Sequence, residues 1–321
     1  MSPTVKPKND AEGRPVVAVL GFGSQGRAIA LNLADSGYRV TVGLRARSKS
    51  RTRARREGIR EIATIPEAVA GSDMVCMAFP DHLHGEVFKR EIEPHLMSGA
   101  CLWFLHGLSV HFGFVKPPKT SDVIMIAPHG PGVAVRESYL GDRKLSAFYA
   151  VHQNRSRRAG AIAVKLAEAV GIKKSRLVET TFADEAIGDM FGEQAVLCGG
   201  LAALIRNGFE TLTANGLKPE HAYLEVAYQL DLIIALIKKH GIEGMFSRIS
   251  ATARYGSLVS GEKVIDRSIS RRMQKVYDQI TSGKFTRKLA GLSEEDWAEV
   301  DKQLGSLSHP DLEKAARKFS R

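Results

Sequence analysis

Cysteine is scarce: the 321 residues hold three, Cys76, Cys101 and Cys198, far apart, each in an apolar run and none in a C-x-x-C pair. That excludes a disulfide framework and a cysteine-based zinc or redox motif, and it predicts three buried thiols. Aromatic residues are only 7% of the chain, and none interleaves with the basic stretch at 45–60, which argues against a nucleic-acid partner. No run reaches the roughly 18 apolar residues of a membrane span. The first fifteen residues are polar, carry Pro3, Pro7 and Pro15, and lack the apolar core of a secretory leader. No repeat or low-complexity tract breaks the chain. The expectation is a soluble, cytoplasmic protein with no membrane partner.

What is present is ordinary in bulk and uneven in detail. With 44% hydrophobic and 25% charged residues, the composition is that of a globular protein. The length exceeds what one core supports, and about 150 residues per domain suggests two units. The net charge of +11 comes from lysines and arginines gathered at 45–60 and in the last fifty residues. A basic stretch is ordinarily a solvated face, but directly after a strand it can also meet a phosphate.

The first organised segment is Val16–Leu20, a continuous apolar run. It ends in Gly21-Phe22-Gly23-Ser24-Gln25-Gly26 and passes into a helical pattern through Ala28, Ile29, Leu31 and Leu33. Strand, glycine turn and helix in that order make a dinucleotide cradle: Gly21 for the tight turn, Gly23 for close approach of a pyrophosphate, Gly26 for helix–strand packing. The helix N-terminus attracts the phosphates. A second strand at 38–42 follows Ser36-Gly37, so the motif stands in its proper context. After it an NAD site would carry an acid for the ribose hydroxyl, whereas this chain reads Gly43-Leu44-Arg45-Ala46-Arg47-Ser48-Lys49-Ser50-Arg51. Arginine with nearby hydroxyls suits a 2′-phosphate, which favours NADPH.

Further strands are predicted at 74–79, 101–105, 123–127 and 145–151, separated by helical or loop segments such as 66–70 and 84–91. This is an α/β pattern with an open, mostly parallel, Rossmann-type sheet. Ligand-facing groups then fall at the carboxyl ends of strands: Pro80-Asp81, His106-Gly107 and the turn Pro128-His129-Gly130-Pro131-Gly132. His106 closes an apolar strand and precedes a glycine, a position suited to proton handling or orientation.

From Thr180 onward helices dominate. Asp189 and Glu193 stand four residues apart, on one helical face, just before the apolar run 195–205. Burying two carboxylates there is costly without a partner or a cation, and oxygen-only ligands point to Mg²⁺. A second helix is expected from Pro219 to about His240, stopped by Gly241. Glu225 and Gln229 lie beside its apolar stripe of Tyr223, Val226, Ala227, Leu230, Ile233, Ile234 and Ile237.

Taken together, several stretches resemble the short form of the ketol-acid reductoisomerase (acetohydroxyacid isomeroreductase) family over nearly the whole chain. They are Gly21-Phe22-Gly23-Ser24-Gln25-Gly26, Val42-Gly43-Leu44-Arg45, Met125-Ile126-Ala127-Pro128, the run from Asp189 through Gly192-Glu193-Gln194-Ala195 to Gly200, and Gly208-Phe209-Glu210-Thr211-Leu212. The resemblance implies a knotted all-helical C-terminal domain and a homodimer or higher assembly. It also implies a reaction in which Mg²⁺ promotes an alkyl shift and NADPH then reduces the ketone of acetolactate or 2-aceto-2-hydroxybutyrate. Asp189 and Glu193 match the family's metal ligands, Glu225 a further acidic site residue, Ser250 its substrate-contacting serine and His106 its active-site histidine. Phe22 to Gln25, Arg45, Ser48, Ser50, Asp81 and Gly132 match cofactor contacts.

The departures from the family pattern fall at the chemistry: His129 stands where the family carries lysine, Gln229 replaces a glutamate, Tyr228 and Val133 replace histidines, and Arg254 occupies an acidic position. They remove negative charge from the second metal region. An alternative therefore accompanies the main expectation: a diverged NADPH-dependent reductase of another 2-oxo acid or of an imine, with the isomerase step weakened or lost. A non-catalytic binding protein is disfavoured by the retained His106, Asp189, Glu193 and glycine turn. The expected division is a disordered tail (1–14), an NADP-binding domain (15–182) and an all-α metal, substrate and dimerisation domain (183–321).

Overall fold

A computed structural model describes residues 15–141 and 144–320. The tail expected to be disordered lies outside the described residues. Eight strands form one sheet in the order β3-β2-β1-β4-β5-β6-β7-β8. They are β1 (Val16–Leu20), β2 (Arg39–Gly43), β3 (Glu61–Ala63), β4 (Met74–Met77), β5 (Cys101–Phe104), β6 (Asp122–Pro128), β7 (Ala147–Gln153) and β8 (Leu177–Glu179). Every described pairing is parallel except β6 with β7.

β1 is buried at all five positions, because a central parallel strand is covered on both faces, and this is why it reads as an unbroken apolar run. Its side chains alternate between two cores. Val17 and Val19 join Ala28, Ile29 and Leu33 of the helix Ser24–Asp35 and Ala163 and Leu166 of the helix Ala159–Ala169. Ala18 and Leu20 join Ile65, Ala68, Val69, Phe88, Ile92 and Phe182 on the other face. The chain leaves β1 toward β2 and β3, then crosses back to β4. That reversal opens a crevice at the carboxyl ends of β1 and β4, the usual ligand position in such sheets.

The sequence pattern missed β3 and β8. Each is three residues long with a glutamate at one end, too short for an alternation to register. β7 is antiparallel because its chain re-enters at the edge where β6 ended, with Pro128 opposite Ala147.

Cys76 and Cys101 are buried as expected, and burial pushes the Cys101 thiol up to about 12, so it stays an unreactive thiol. Cys198 is a correction: it is exposed. So is much of the apolar run around it, with Val196, Leu197 and Leu204 between 47% and 66% exposed. Apolar periodicity marks a face that needs covering, and it is blind to whether the same chain covers it.

The chain divides into two compact units between Gly188 and Asp189. The second is all helical among its described residues, from Gly199–Ala214 to Pro310–Phe319, with a small core of Phe209, Ala222, Met245, Ile280 and Ala315. Two expected helices are modified. After Phe182–Phe191 the backbone enters a π turn at Gly192–Leu197. The helix from Pro219 passes through a second π turn, Leu224–Tyr228, and continues to Phe246. Gly241 does interrupt it, with φ 72°, a left-handed conformation that a side chain disfavours. No helix is long and apolar enough to cross a membrane among the described residues.

Candidate active site

The cofactor edge is built around the turn after β1. The Gly21 N–H donates to the Gly43 carbonyl at 3.0 Å. Its φ is +107°, and a Cβ there would collide with the Ala78 carbonyl. A Cβ on Gly26 would lie 2.6 Å from the Gly21 carbonyl oxygen, so the helix could not approach the strand. Gly23 differs: a Cβ there meets nothing within 4 Å. It is also the N-cap of the twelve-residue helix Ser24–Asp35, with no side-chain cap and no acid in the first turn. The space beside Gly23 at this helix N-terminus is therefore open, the condition a diphosphate needs.

A second turn closes on this one. The Gly132 N–H donates to Ser24 Oγ at 3.1 Å and Gln25 Nε2 donates to the Gly130 carbonyl at 2.7 Å. Gln25 Oε1 is buried with no hydrogen-bond partner, an orphaned acceptor at the cradle. Phe22 is buried beneath it.

At the end of β2 the basic stretch divides by role. The Arg51 guanidinium turns inward, donating to the Leu44, Ala63 and Ile62 carbonyls at 3.1–3.3 Å, and so ties the ends of β2 and β3. Arg45 is exposed. The turn beneath it holds Ser48 and Ser50 close, through Ser48 N–H to the Arg45 carbonyl (3.0 Å) and Ser50 N–H to Ser48 Oγ (3.3 Å). The nearest strand carboxylate, Glu61, is occupied by Arg39 and Thr41 at 2.8 and 3.0 Å. Cationic and hydroxyl donors without a competing acid fit a 2′-phosphate.

His106 lies just past β5, where the strand pattern placed it. Its Nδ1 is 2.9 Å from Glu185 Oε2 and 3.1 Å from Oε1, and the Gly107 N–H donates to the same Oε2 at 2.6 Å. An ionised carboxylate only accepts, so Nδ1 carries the proton and the ring orientation is set. Glu185 is 4% exposed. The sequence does not single it out, since one acid in Asp184-Glu185 at a helix start reads as a helix-dipole residue, and only its burial distinguishes it. His129 is exposed. Its Nδ1 lies 3.0 Å from Ser146 Oγ, its backbone N–H donates to the Ser146 carbonyl, and its ring stands edge-on to Phe148 with ring centres 4.4 Å apart. Asp81 is half-buried, 3.6 Å from His84 Nδ1.

In the helical unit Asp189 closes the helix Phe182–Phe191 and Glu193 is the second residue of the π turn after it; both are exposed rather than buried. Glu225 sits in the other π turn, and the Gln229 amide donates to its Oε2 at 3.4 Å and to the Leu224 carbonyl at 3.2 Å. Ser250 caps the helix Ala251–Val264, its Oγ accepting from the Ala253 N–H at 3.1 Å, so its hydroxyl already serves its own helix. Tyr228 packs against Phe319, ring centres 6.0 Å apart. Glu225 and Gln229 touch each other, while Asp189 and Glu193 are two further exposed carboxylates four residues apart; oxygen donors of these kinds suit a hard divalent cation.

A mostly parallel sheet with an open glycine turn at its switch point, and arginine and serine at the end of its second strand, defines a dinucleotide-dependent oxidoreductase. Residues 13–176 match the family model of the acetohydroxy acid isomeroreductase NADPH-binding domain, and residues 182–319 match that of the ketol-acid reductoisomerase C-terminal domain. The chain belongs to the ketol-acid reductoisomerase family.

It is 47% identical over 272 residues to the ketol-acid reductoisomerase (NADP(+)) of Pyrobaculum arsenaticum, covering 85% of this chain and 83% of that one. To the enzyme of the same name from Xanthomonas campestris pv. campestris it is 42% identical over 312 residues, covering 97% and 92%. Among solved structures, an NADH-preferring ketol-acid reductoisomerase from an uncultured archean superposes with a TM-score of 0.89 at 32% identity, over 96% of this chain and 95% of that one. A pyrroline carboxylate reductase from Plasmodium falciparum, at 14% identity and TM-score 0.54 over 84% and 97%, shares the fold alone.

Proposed function

We propose that this chain is an NADPH- and Mg²⁺-dependent ketol-acid reductoisomerase acting on acetolactate and 2-aceto-2-hydroxybutyrate, working in the cytoplasm as a homodimer or higher homo-oligomer. The observation that carries it is one chain holding both a glycine turn that is open beside Gly23 and the Asp189–Glu193 pair, each inside the stretch matched by its own family model. Residues 15–182 are assigned cofactor binding; 183–321 are assigned the metal, the substrate and subunit association.

When bound, Mg²⁺ polarises the substrate's adjacent oxygens for alkyl migration and NADPH supplies the hydride that completes the conversion. The chain's own residues prepare for this. The first turn of the helix Ser24–Asp35 and Gly132 take the pyrophosphate, while Arg45, Ser48 and Ser50 take the 2′-phosphate, with Asp81 at the neighbouring strand end. Asp189, Glu193 and Glu225 provide the charge for the cation. His106 is oriented by Glu185 for proton handling, and Ser250, His129 and Gln229 are assigned to the substrate. Association with another copy is supported by the helix Ala251–Val264, which is exposed at every position and carries Tyr255 at 73%, Leu258 at 65% and Val264 at 69%. Large apolar side chains left uncovered along one helix are what an interface with another chain covers, and light scattering reports the assembly.

The test is NADPH consumption by purified protein with acetolactate, with 3-hydroxy-3-methyl-2-oxobutyrate, which bypasses the rearrangement, and with a simple cyclic imine. Consumption of the first two, lost on removing Mg²⁺, is expected. Turnover of the imine alone, indifferent to Mg²⁺, would overturn the proposal.

One observation favours a second reading, a diverged reductase of another 2-oxo acid or imine with a weak isomerase step: Gln229 offers an amide hydrogen-bonded to Glu225 in place of a second carboxylate. An uncharged ligand weakens a second cation site, and alkyl migration depends on it most. In that case Gln229→Glu raises turnover of acetolactate relative to 3-hydroxy-3-methyl-2-oxobutyrate.

A further inference from the structure

His84 takes no part in the assignments above, yet it is among the most deeply buried polar side chains of the first unit, 2% exposed. Its ring stands edge-on to Phe79 (4.5 Å) and Phe104 (6.1 Å). Nε2 is 2.9 Å from the Phe79 carbonyl and Nδ1 is 2.8 Å from Ser109 Oγ. A carbonyl only accepts, so Nε2 bears the proton, and in the neutral ring Nδ1 then accepts the serine hydroxyl. Both ring nitrogens are satisfied, and Ser109 is itself fully buried.

These two bonds join separate segments. Phe79 follows β4 and leads into Asp81; Ser109 lies in the first turn after His106-Gly107, beyond β5. The strands are adjacent and parallel, with Met77 opposite Phe104, so the two bonds add a side-chain tie between their carboxyl ends to the pairing of the sheet. Burial disfavours the charged ring and holds it neutral. The Asp81 carboxylate pulls the other way, while His106 and His82 add to the opposition. In the neutral ring both hydrogen bonds are kept, Nε2 donating to the Phe79 carbonyl and Nδ1 accepting from Ser109.

We infer that His84 is a positioning residue of the cofactor edge, its neutral imidazole setting the spacing between the loop that carries Asp81 and the loop that carries His106. The inference rests on the proposed NADPH-dependent reaction and adds a residue to it. A shift of about 1 Å in reacting groups costs on the order of a hundredfold in rate, so a tie between two loops is visible in turnover as well as in stability.

The test compares His84→Leu, His84→Gln and Ser109→Ala with wild type. Leucine keeps bulk without polar atoms, whereas glutamine keeps a donor and an acceptor. NADPH affinity is read by fluorescence titration without substrate, and kcat and KM by reduction of 3-hydroxy-3-methyl-2-oxobutyrate, both well below each melting midpoint. His84→Leu is expected to weaken NADPH about tenfold and lower kcat by about ten- to a hundredfold, leaving KM for the oxo acid unchanged, with His84→Gln restoring both. Ser109→Ala should show the same pattern at smaller size, which keeps the test decisive should His84→Leu not fold. Wild-type NADPH affinity and kcat in Ser109→Ala or in folded His84→Leu, or no rescue by glutamine, overturn the inference. Failure of the proposed reaction shows separately, as a wild type that binds NADPH but consumes none with the oxo acid.

Discussion

Replacing Glu185 with glutamine removes one negative charge while keeping the shape of the side chain that His106 leans on. Oε2 receives both the Gly107 N–H at 2.6 Å and His106 Nδ1 at 2.9 Å, and Oε1 lies 3.1 Å from the same Nδ1. A glutamine oxygen at the Oε2 position preserves both bonds, but the NH2 group then confronts the His106 Nδ1–H, donor against donor. Losing charge assistance and adding that conflict costs about 1–2 kcal/mol. Alanine is the harsher change: it strands a buried N–H and the histidine, at about 3–5 kcal/mol out of the roughly 5–15 kcal/mol that hold a protein folded. The glutamine variant is therefore the informative one. Its melting midpoint should fall by about 2–4 °C per kcal/mol lost. NADPH affinity should be unchanged, because the glycine cradle is untouched. The rate should fall by about 10²-fold, at the low end of what an acid–base group contributes. A kcat within about threefold of wild type, alongside a His106→Ala variant that is inactive, would refute the idea that Glu185 orients His106.

Three further outcomes follow from the same structure. Gly23→Ala should leave thermal stability unchanged, because its Cβ meets nothing, yet weaken NADPH binding about tenfold or more; Gly26→Ala, 2.6 Å from the Gly21 carbonyl, should instead cost about 1–3 kcal/mol in a denaturant titration. Arg45→Ala should weaken NADPH by about 10- to 100-fold while sparing NADH, whereas Arg51→Ala, which loses its bonds to three strand-end carbonyls, should lower stability with no change in cofactor preference. Stability should also fall as the pH drops below about 6.5: burial lowers the pKa of His84 from that value, so below it the unfolded chain takes up a proton that the folded chain refuses, and acid favours unfolding. Asp81 partly offsets this and His82 and His106 reinforce it, and urea midpoints measured against pH should show a shallower slope in His84→Gln.

The nucleotide half was the more legible part of the chain. A strand buried on both faces must be apolar throughout, and a close turn onto a helix must be glycine, so Val16–Leu20 and the glycines after it speak in one dimension. Arg45 was visible for the same local reason, the want of an acid after β2. Glu185 was hidden because its meaning comes from a partner 79 residues away in sequence, and His84 because a histidine inside a helical segment says nothing of what it bridges. Arg51 is the opposite case: in sequence it looks like its basic neighbours, yet its guanidinium sits on strand-end carbonyls. Cys198 and the run about it looked like core because periodicity registers a demand for cover without saying who supplies it.

Sequence alone was enough for the order of strand, glycine turn and helix and for the electrostatic character after the second strand, because each depends on residues near one another along the chain. Only the tertiary structure decided which acid holds His106, which arginine faces outward, and that Ser250 caps a helix. Those depend on burial and on hydrogen-bond partners, which exist only once segments distant in the chain have been packed together.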